Sequence, residues 1–262
     1  MSLSSKILLF SDPHLDGSED SHASANPAHR LRRALEQALA RHPDAAHLVL
    51  PGDLSNGGDV WGYEFLRALC AEYDLPCTFL MGNEEDRGAF ASVFPDVATD
   101  QNGFYQSVLT FGGHTVICLD TLDPEVPTKH GGLLCDQRLD WLRAALTDAA
   151  DQQVTVVMHH PPAPLGMPRF DALGLANGTE VSALLSSAGV RLVIAGHIHR
   201  SIQAVVNGLP IATLKSTGFG LMMQQGDAPL ARDPADPGAY GVLLLTEHGP
   251  ILHHEEITWD VT

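Results

Sequence analysis

The sequence predicts an α/β protein in which two β-sheets pack face to face as a sandwich, with helices on both outer sides in a four-layer arrangement. In the first half of the chain, short apolar runs alternate with amphipathic segments, which is typical of parallel strands joined by helices. In the second half, Gly112-Gly113 and Asn207-Gly208 each separate two extended runs and indicate hairpins. This combination favours a pair of mixed sheets over a single parallel sheet.

Three strands are predicted in the first half, each as a short apolar run bounded by turn residues. They are Lys6 to Phe10, His47 to Leu50 and Cys77 to Met81. Helices follow each strand, and the first begins at Asn26-Pro27, where an N-cap residue precedes a proline. The predicted helices run to about Arg41, from about Val60 to Tyr73, and near Phe90.

The second half contains more strands than helices. Hairpins are predicted over Phe104 to Phe111 with His114 to Asp120, and over Ile202 to Val206 with Leu209 to Thr213. Buried strands are predicted at Val154 to Met158 and Val190 to Ala195, and two final strands at Gly241 to Thr246 and Ile251 to Trp259. The spacing of Leu139, Leu142 and Leu146 predicts an amphipathic helix over Asp136 to Ala149, and a second helix is predicted over Thr179 to Ser187.

Length and composition limit the class of protein. The 262 residues show no repeat or linker, so we expect one domain over residues 1–262, with a core at about 6–215 and C-terminal strands at about 240–259. A formal net charge of −17 disfavours a nucleic acid polymer or an anionic membrane as a partner. The four scattered cysteines predict reduced thiols, and no signal peptide or membrane span is recognisable. We therefore expect a cytoplasmic protein without membrane insertion.

Polar side chains with oxygen or imidazole donors follow five of the predicted strands. They are Asp12, His14, Asp53, Asn83, His159, His197 and His199. Each has an ordinary explanation by itself, because aspartate and asparagine are common turn residues. Together they are too many for one tetrahedral zinc, but they suit two ions that share a bridging carboxylate. Two adjacent ions are the usual arrangement for displacement at phosphorus.

The spacing of these residues resembles the calcineurin-like metallophosphoesterases from residue 6 to about residue 200. The matching motifs are Asp12-x-His14, Gly52-Asp53, Gly82-Asn83, His159-His160 and Gly196-His197-x-His199. Three further stretches are similar to the class III cyclic nucleotide phosphodiesterase and glycerophosphodiesterase group. They are His159-His160-Pro161-Pro162, Asp171-Ala172-Leu173-Gly174-Leu175, and Gly131-Gly132-Leu133 leading to Gln137-Arg138-Leu139-x-Trp141-Leu142.

This resemblance implies a hydrolase that cleaves a small phosphodiester, of the cyclic nucleotide or glycerophosphodiester type, by attack of a metal-bridging hydroxide. It implies that one metal is held by Asp12, His14 and His199, the other by Asn83, His159 and His197, and that Asp53 bridges them. Iron, manganese, zinc or cobalt, as divalent or trivalent ions, would each accept these donors. The resemblance also implies a homodimer or a higher homo-oligomer.

His160 is a candidate catalytic residue beside Asp53 and Asn83, because it directly follows a predicted ligand. Its functional interpretation is a hydrogen bond that orients the ligands from outside the coordination sphere. The alternative is an ordinary loop histidine.

Glu84 is where this chain departs from the family, whose motif reads Gly-Asn-His. The family histidine contacts the phosphate and is a candidate proton donor, whereas a carboxylate beside two cations would be anionic and would repel phosphate. Glu84 is therefore either a residue that favours a positively charged leaving group, or one that faces solvent or caps the next helix. Because the family histidine is absent, an alternative function is that of a regulatory protein that binds metal but is catalytically weak.

Overall fold

The computed structural model describes residues 3–17, 26–224, 226 and 228–259. The strands are β1 Leu3–Leu9, β2 His47–Pro51, β3 Cys77–Leu80, β4 Ser107–Phe111, β5 His114–Leu119, β6 Gln153–Met158, β7 Leu192–Ala195, β8 Gln203–Val206, β9 Leu209–Thr213, β10 Ala239–Thr246 and β11 Gly249–Glu256. The helices are α1 Pro27–Arg41, α2 Val60–Ala71, α3 Arg87–Val93, α4 Asp136–Asp148, α5 Pro168–Asp171 and α6 Gly178–Ser187. Within these described ranges, no helix has the length and apolarity needed to cross a membrane.

The strands form two mixed sheets. The first has the order β11-β10-β1-β2-β3 and the second the order β4-β5-β6-β7-β9-β8. Strands β1, β2 and β3 are parallel, as are β5, β6, β7 and β9, while antiparallel strands complete the sheet edges. The carboxyl ends of the parallel strands in each sheet therefore lie at one edge, where α/β sheets bind their ligands.

Both faces of the central strands are apolar because both faces are covered. In β1, Ile7 and Leu9 point into the core between the sheets, together with Val116 and Val157 of the second sheet. Leu8 points to the opposite face, where it packs beneath helices. Since successive side chains of a strand alternate between faces, one continuous apolar run supplies two cores.

Helices cover the outer face of each sheet. Leu31 of α1, Leu66 of α2 and Phe90 of α3 pack on the first sheet. Leu142 of α4 and Val181 of α6 pack on the second. The predicted sandwich of two sheets with helices on both sides is thus confirmed.

The predicted elements are present with small differences in their bounds. Asn26 caps α1 as expected, since its side chain accepts hydrogen bonds from two backbone N–H groups of the first turn. The short helix α5 was not predicted, because a single turn is too short to show an apolar period. The last strand ends at Glu256 and not at Trp259, because its partner strand β10 begins at Ala239, which pairs with Glu256.

Arg138 of α4 fixes the segment that connects β5 to α4. Its guanidinium is fully buried, pairs with the carboxylate of Asp123, and donates to the carbonyls of Asp120 and Leu122 at 3.0 and 2.8 Å. It also lies over the ring of Phe104, 4.5 Å from its centroid. Because this one side chain satisfies several groups of the segment, the path of the segment depends on it.

We predict that Arg138→Met lowers the free energy of unfolding by about 3–5 kcal/mol, because the buried Asp123 carboxylate loses its partner. The matched control is Arg143→Met on the same helix, whose ion pairs with Asp140 and Glu180 are on the surface. Arg143→Met should lower the free energy of unfolding by less than about 1 kcal/mol. Urea unfolding followed by circular dichroism measures both variants, and equal midpoints for the two would contradict the prediction.

Candidate metal centre

Five strand ends from both sheets meet at one place. Asp12 and His14 follow β1, Asp53 follows β2, and Asn83 follows β3 in the first sheet. The second sheet contributes two pairs, His159 with His160 after β6 and His197 with His199 after β7. All of these side chains are buried except that of Asn83, which is half-buried. The structure therefore brings together every ligand that the sequence predicted.

The first half of the cluster consists of Asp12, His14, Asp53 and His199. Each offers a donor atom, and these atoms all lie within 4.8 Å of one another. The two imidazole nitrogens of His14 and His199 are 3.0 Å apart, and Nε2 of His199 is 3.6 Å from Oδ1 of Asp12. This arrangement has the residue types and the separations that a single metal ion would bridge.

Asp53 connects this half to a second group of donors. Its Oδ2 is 3.4 Å from Nε2 of His14, whereas its Oδ1 is 3.4 Å from Nε2 of His159. Around His159 lie Oδ1 of Asn83 at 3.3 Å and the ring of His197, with 5.1 Å between the ring centroids. The two oxygens of one carboxylate thus face the two halves of the cluster.

Hydrogen bonds from outside the cluster fix which imidazole nitrogens face inward. His159 donates from Nδ1 to the carbonyl of Pro51 and His199 donates from Nδ1 to the carbonyl of Phe219, both at 2.9 Å. In the neutral rings, Nε2 then carries a lone pair. These lone pairs face the oxygens of Asp12, Asp53 and Asn83. Hydrogen-bond acceptors therefore lie opposite one another with no hydrogen between them.

Atoms that all accept need a cation between them, and the donor set therefore fits metal ions. A further sign is that Nε2 of His197 is buried without a hydrogen-bond partner among the described residues. Buried polar atoms are normally paired.

The pKa values show where positive charge is stabilised in this site. Burial lowers the pKa of His159, but the charge and hydrogen bond of Asp53, the charge of Asp12 and the carbonyl of Pro51 together raise it to about 10. Burial likewise raises the pKa of Asp53, yet His159 holds that pKa well below its usual value. Burial raises the pKa of Asp12 to about 6, and burial together with the charge of His159 lowers the pKa of His197 to about 3. Positive charge is thus drawn to the space between the two halves of the cluster, while His197 remains a neutral donor.

The backbone is strained at the same residues. Left-handed φ values occur at Asp12 (52°), His14 (47°), Asp53 (49°), His197 (70°) and His199 (56°). Such conformations are uncommon for residues other than glycine, and they persist where surrounding structure enforces them. They turn side chains back into the cluster directly after a strand has ended.

A glycine allows the two sheets to approach each other here. Gly82 lies directly before Asn83, and a Cβ at this position would come within 2.8 Å of Cε1 of His159. Only a residue without a side chain lets β3 bring Asn83 next to β6.

Glu85 is a residue whose importance the sequence did not reveal. Its buried carboxylate accepts hydrogen bonds from the N–H groups of Asp53 (2.9 Å), Leu54 (2.6 Å), Ser55 (3.3 Å) and Gly82. It therefore holds the turns after β2 and β3 together and sets the position of Asp53. The only local signal is an acidic residue after Gly82-Asn83, which does not indicate which N–H groups it binds.

His160 is not an exposed loop residue. It is fully buried, and its Nδ1 is 2.8 Å from the hydroxyl of Thr121. Its ring centroid is 4.8 Å from that of His197. His160 can therefore act only from within the packed base of the cluster.

A cavity of about 230 Å³ opens above the cluster. Its polar lining includes His14, Asp53, Asn83, Glu84 and His130, and its apolar lining is formed by Phe170, Leu173, Phe219, Leu221 and Leu230. The side chain of Glu84 is 21% exposed and faces this cavity. The following helix is capped by Asp86, which accepts from the N–H of Ala89 at 2.8 Å, so Glu84 has no capping role.

A family model of calcineurin-like phosphoesterases matches residues 5–201 of this chain. The chain belongs to this family. A probable cyclic nucleotide phosphodiesterase of Rhodopseudomonas palustris is 32% identical across 88% of this chain and 86% of its own length. The glycerophosphodiester phosphodiesterase GpdQ of Enterobacter lignolyticus is 28% identical across 68% of this chain and 64% of its own length.

The fold comparison agrees with the family. The crystal structure of a dimetal phosphatase from Danio rerio superposes with a TM-score of 0.75 over 98% of each chain at 16% identity. The protein is thus a metallophosphoesterase, and its family uses divalent metal ions.

For this calcineurin-like phosphoesterase we predict that Glu85→Gln lowers the free energy of unfolding by about 1–3 kcal/mol, because the amide replaces an acceptor with a donor that faces backbone N–H groups. Glu64→Gln, on the exposed face of α2, is the matched control and should leave stability unchanged. Urea unfolding in the presence of a chelator measures the difference. A Glu85→Gln protein as stable as the control would show that the carboxylate is not needed to hold these turns.

Proposed function

We propose that the protein is a dinuclear metal-dependent phosphodiesterase that hydrolyses a small phosphodiester of the cyclic nucleotide or glycerophosphodiester type. The observation that carries this proposal is the position of Asp53, whose two oxygens face two separate groups of donors. A carboxylate in this position is suited to join two ions. The names of the two relatives supply the two substrate types.

The proposed roles follow the two halves of the cluster. Asp12, His14 and His199 would hold one metal, Asn83, His159 and His197 the other, and Asp53 would bridge them. Iron, manganese, zinc and cobalt are all compatible with these donors. When bound, the two ions would supply charge neutralisation at the phosphorus and a water ionised to hydroxide as the nucleophile.

The chain itself contributes orientation and exclusion of water. The carbonyls of Pro51 and Phe219 keep the Nε2 lone pairs of His159 and His199 directed inward. His160 would support the base of the site through its contact with Thr121.

Charge at the cavity favours a metal-dependent reaction on a small substrate. The cavity lining includes the carboxylates of Asp53 and Glu84, and Asp12 belongs to the same donor cluster as Asp53. These carboxylates would repel an anionic phosphodiester in the absence of cations. The apolar wall around Phe170 and Phe219 can hold the organic part of the substrate. A volume of about 230 Å³ and a net charge of −17 favour a small molecule over a nucleic acid polymer.

Residues 1–262 would act as one domain in this proposal. The core between the sheets contains Leu9 and Leu80 of the first sheet with Cys118 and Ile194 of the second. Since the site takes ligands from both sheets, neither half would be expected to form it alone.

We predict that the purified protein, freed of metal by a chelator and then given Mn²⁺, hydrolyses bis(p-nitrophenyl) phosphate, and that the chelated protein does not. Release of p-nitrophenol at 405 nm measures the rate, and cyclic AMP and glycerophosphoethanolamine separate the two substrate types. A protein that binds two Mn²⁺ ions but hydrolyses none of these diesters would contradict the proposed activity and favour a regulatory protein.

We also predict that Asp53→Ala costs more activity than the loss of a ligand that serves one ion, because the bridging ligand serves both. The comparison variant is His14→Ala, and the metal content of each protein is measured by plasma emission spectrometry. If Asp53→Ala retains two ions and turns over near the wild-type rate, the bridging assignment is wrong.

A further inference from the structure

His130 lies at the mouth of the cavity beside Asn83 and Glu84, although it is 46 residues further along the chain than Glu84. It belongs to the segment after β5 that Arg138 anchors. Its backbone has a φ of 69°, an uncommon conformation for histidine, and its side chain is 40% exposed. A strained and partly exposed histidine at a ligand cavity is a candidate for contact with the ligand.

Both oxygens of Glu84 are already engaged by groups of the protein. Oε1 accepts a hydrogen bond from Nδ2 of Asn83 at 3.1 Å, and Oε2 accepts one from the N–H of Gly57 at 3.0 Å. Oε1 is also 3.3 Å from Nδ1 of His130. The carboxylate is therefore held between the turn after β2 and the segment of His130.

The contact with Glu84 determines the orientation of the Asn83 amide. Its Nδ2 is directed at Oε1 of Glu84, so Oδ1 points the other way and lies 3.3 Å from Nε2 of His159. A flipped amide would present N–H groups to the metal centre, and these cannot bind a cation. Glu84 therefore stabilises the orientation in which Asn83 can be a ligand.

The same contacts leave the second ring nitrogen of His130 as a donor. Nδ1 lies 3.3 Å from Nδ2 of Asn83 and 3.3 Å from Oε1 of Glu84. In the tautomer that accepts from the Asn83 amide at Nδ1, the ring carries its hydrogen on Nε2. No group among the described residues accepts this hydrogen.

We propose that Glu84 is a positioning residue, which orients the Asn83 amide oxygen toward the metal centre and holds His130 at the cavity mouth, where Nε2–H of His130 donates a hydrogen bond to an oxygen of the phosphodiester. The substrate contact rests on the proposed function, whereas the orientation of Asn83 rests on the donor cluster. In this scheme Glu84 is not the counterpart of the family histidine. His130 supplies the hydrogen bond to phosphate from a different part of the chain.

Metal binding tests the first part of the proposal without any turnover. Chelator-treated Glu84→Ala, titrated with Mn²⁺ by calorimetry, should bind one of its two ions about 10–100-fold more weakly than wild type, which is the usual cost of losing a group that orients a ligand. Glu84→Gln keeps an acceptor for the Asn83 amide and should recover part of this loss. Asp86→Asn removes a neighbouring carboxylate but keeps the cap of α3, so it should bind both ions as wild type does. Wild-type affinity for both ions in Glu84→Ala would overturn the positioning role.

The second part is tested by His130→Ala, with Lys129→Ala on the same exposed segment as the matched control. Loss of a hydrogen bond to a charged oxygen should lower kcat/KM on bis(p-nitrophenyl) phosphate by about 10–100-fold. Binding of inorganic phosphate to the Mn²⁺-loaded protein should weaken by a similar factor, while Mn²⁺ affinity stays unchanged. His130→Gln, which keeps an N–H donor, should restore part of the phosphate affinity, and Lys129→Ala should match wild type.

Unchanged phosphate affinity in His130→Ala would overturn the substrate contact, and so would a loss of Mn²⁺ affinity of the same size, since that would indicate a structural role. Phosphate and Mn²⁺ binding require no catalysis. An inactive wild-type protein would therefore contradict the proposed function. The two binding measurements would still test the positioning role of Glu84 and the phosphate contact of His130.

Discussion

The structure depends on one constraint, which is that several hydrogen-bond acceptors are held against one another in a buried space. The lone pairs of His159 and His199 face the oxygens of Asp12, Asp53 and Asn83, and no hydrogen lies between them in the neutral cluster. Positive charge between these atoms makes the arrangement favourable, and the raised pKa of His159 beside Asp53 reflects this. The left-handed backbone of the ligands, the absence of a Cβ at Gly82 and the buried carboxylate of Glu85 all serve to hold these acceptors in place.

The sandwich makes this constraint possible because its two sheets bring their carboxyl edges to one place. Ile7 and Leu9 pack against Val116 and Val157 between the sheets, and this apolar contact opposes the repulsion within the cluster. The ligands follow the strands immediately, so the rigidity of the sheets is transmitted to the donor atoms over only a few bonds. A site built on longer loops would leave the ligands more freedom to separate.

Glu84 stands where the family motif has a histidine, while all seven candidate ligands are present. Glu84 binds groups from three segments, the turn at Gly57, its neighbour Asn83 and the segment of His130. The negative charge of Glu84 therefore interacts with groups of the protein itself. His130 belongs to the segment between β5 and α4, and the buried guanidinium of Arg138 holds the beginning of that segment.

The sequence by itself determined the sandwich, its strands and the seven candidate ligands, because these depend on local patterns: an apolar run, then a turn, then a donor residue. Only the tertiary structure decided that Glu85 binds the turn of Asp53 and that His130 meets Glu84, because each contact joins segments about 30 to 47 residues apart. No local pattern encodes which loops will touch, since that follows from how the sheets and their buried anchors pack.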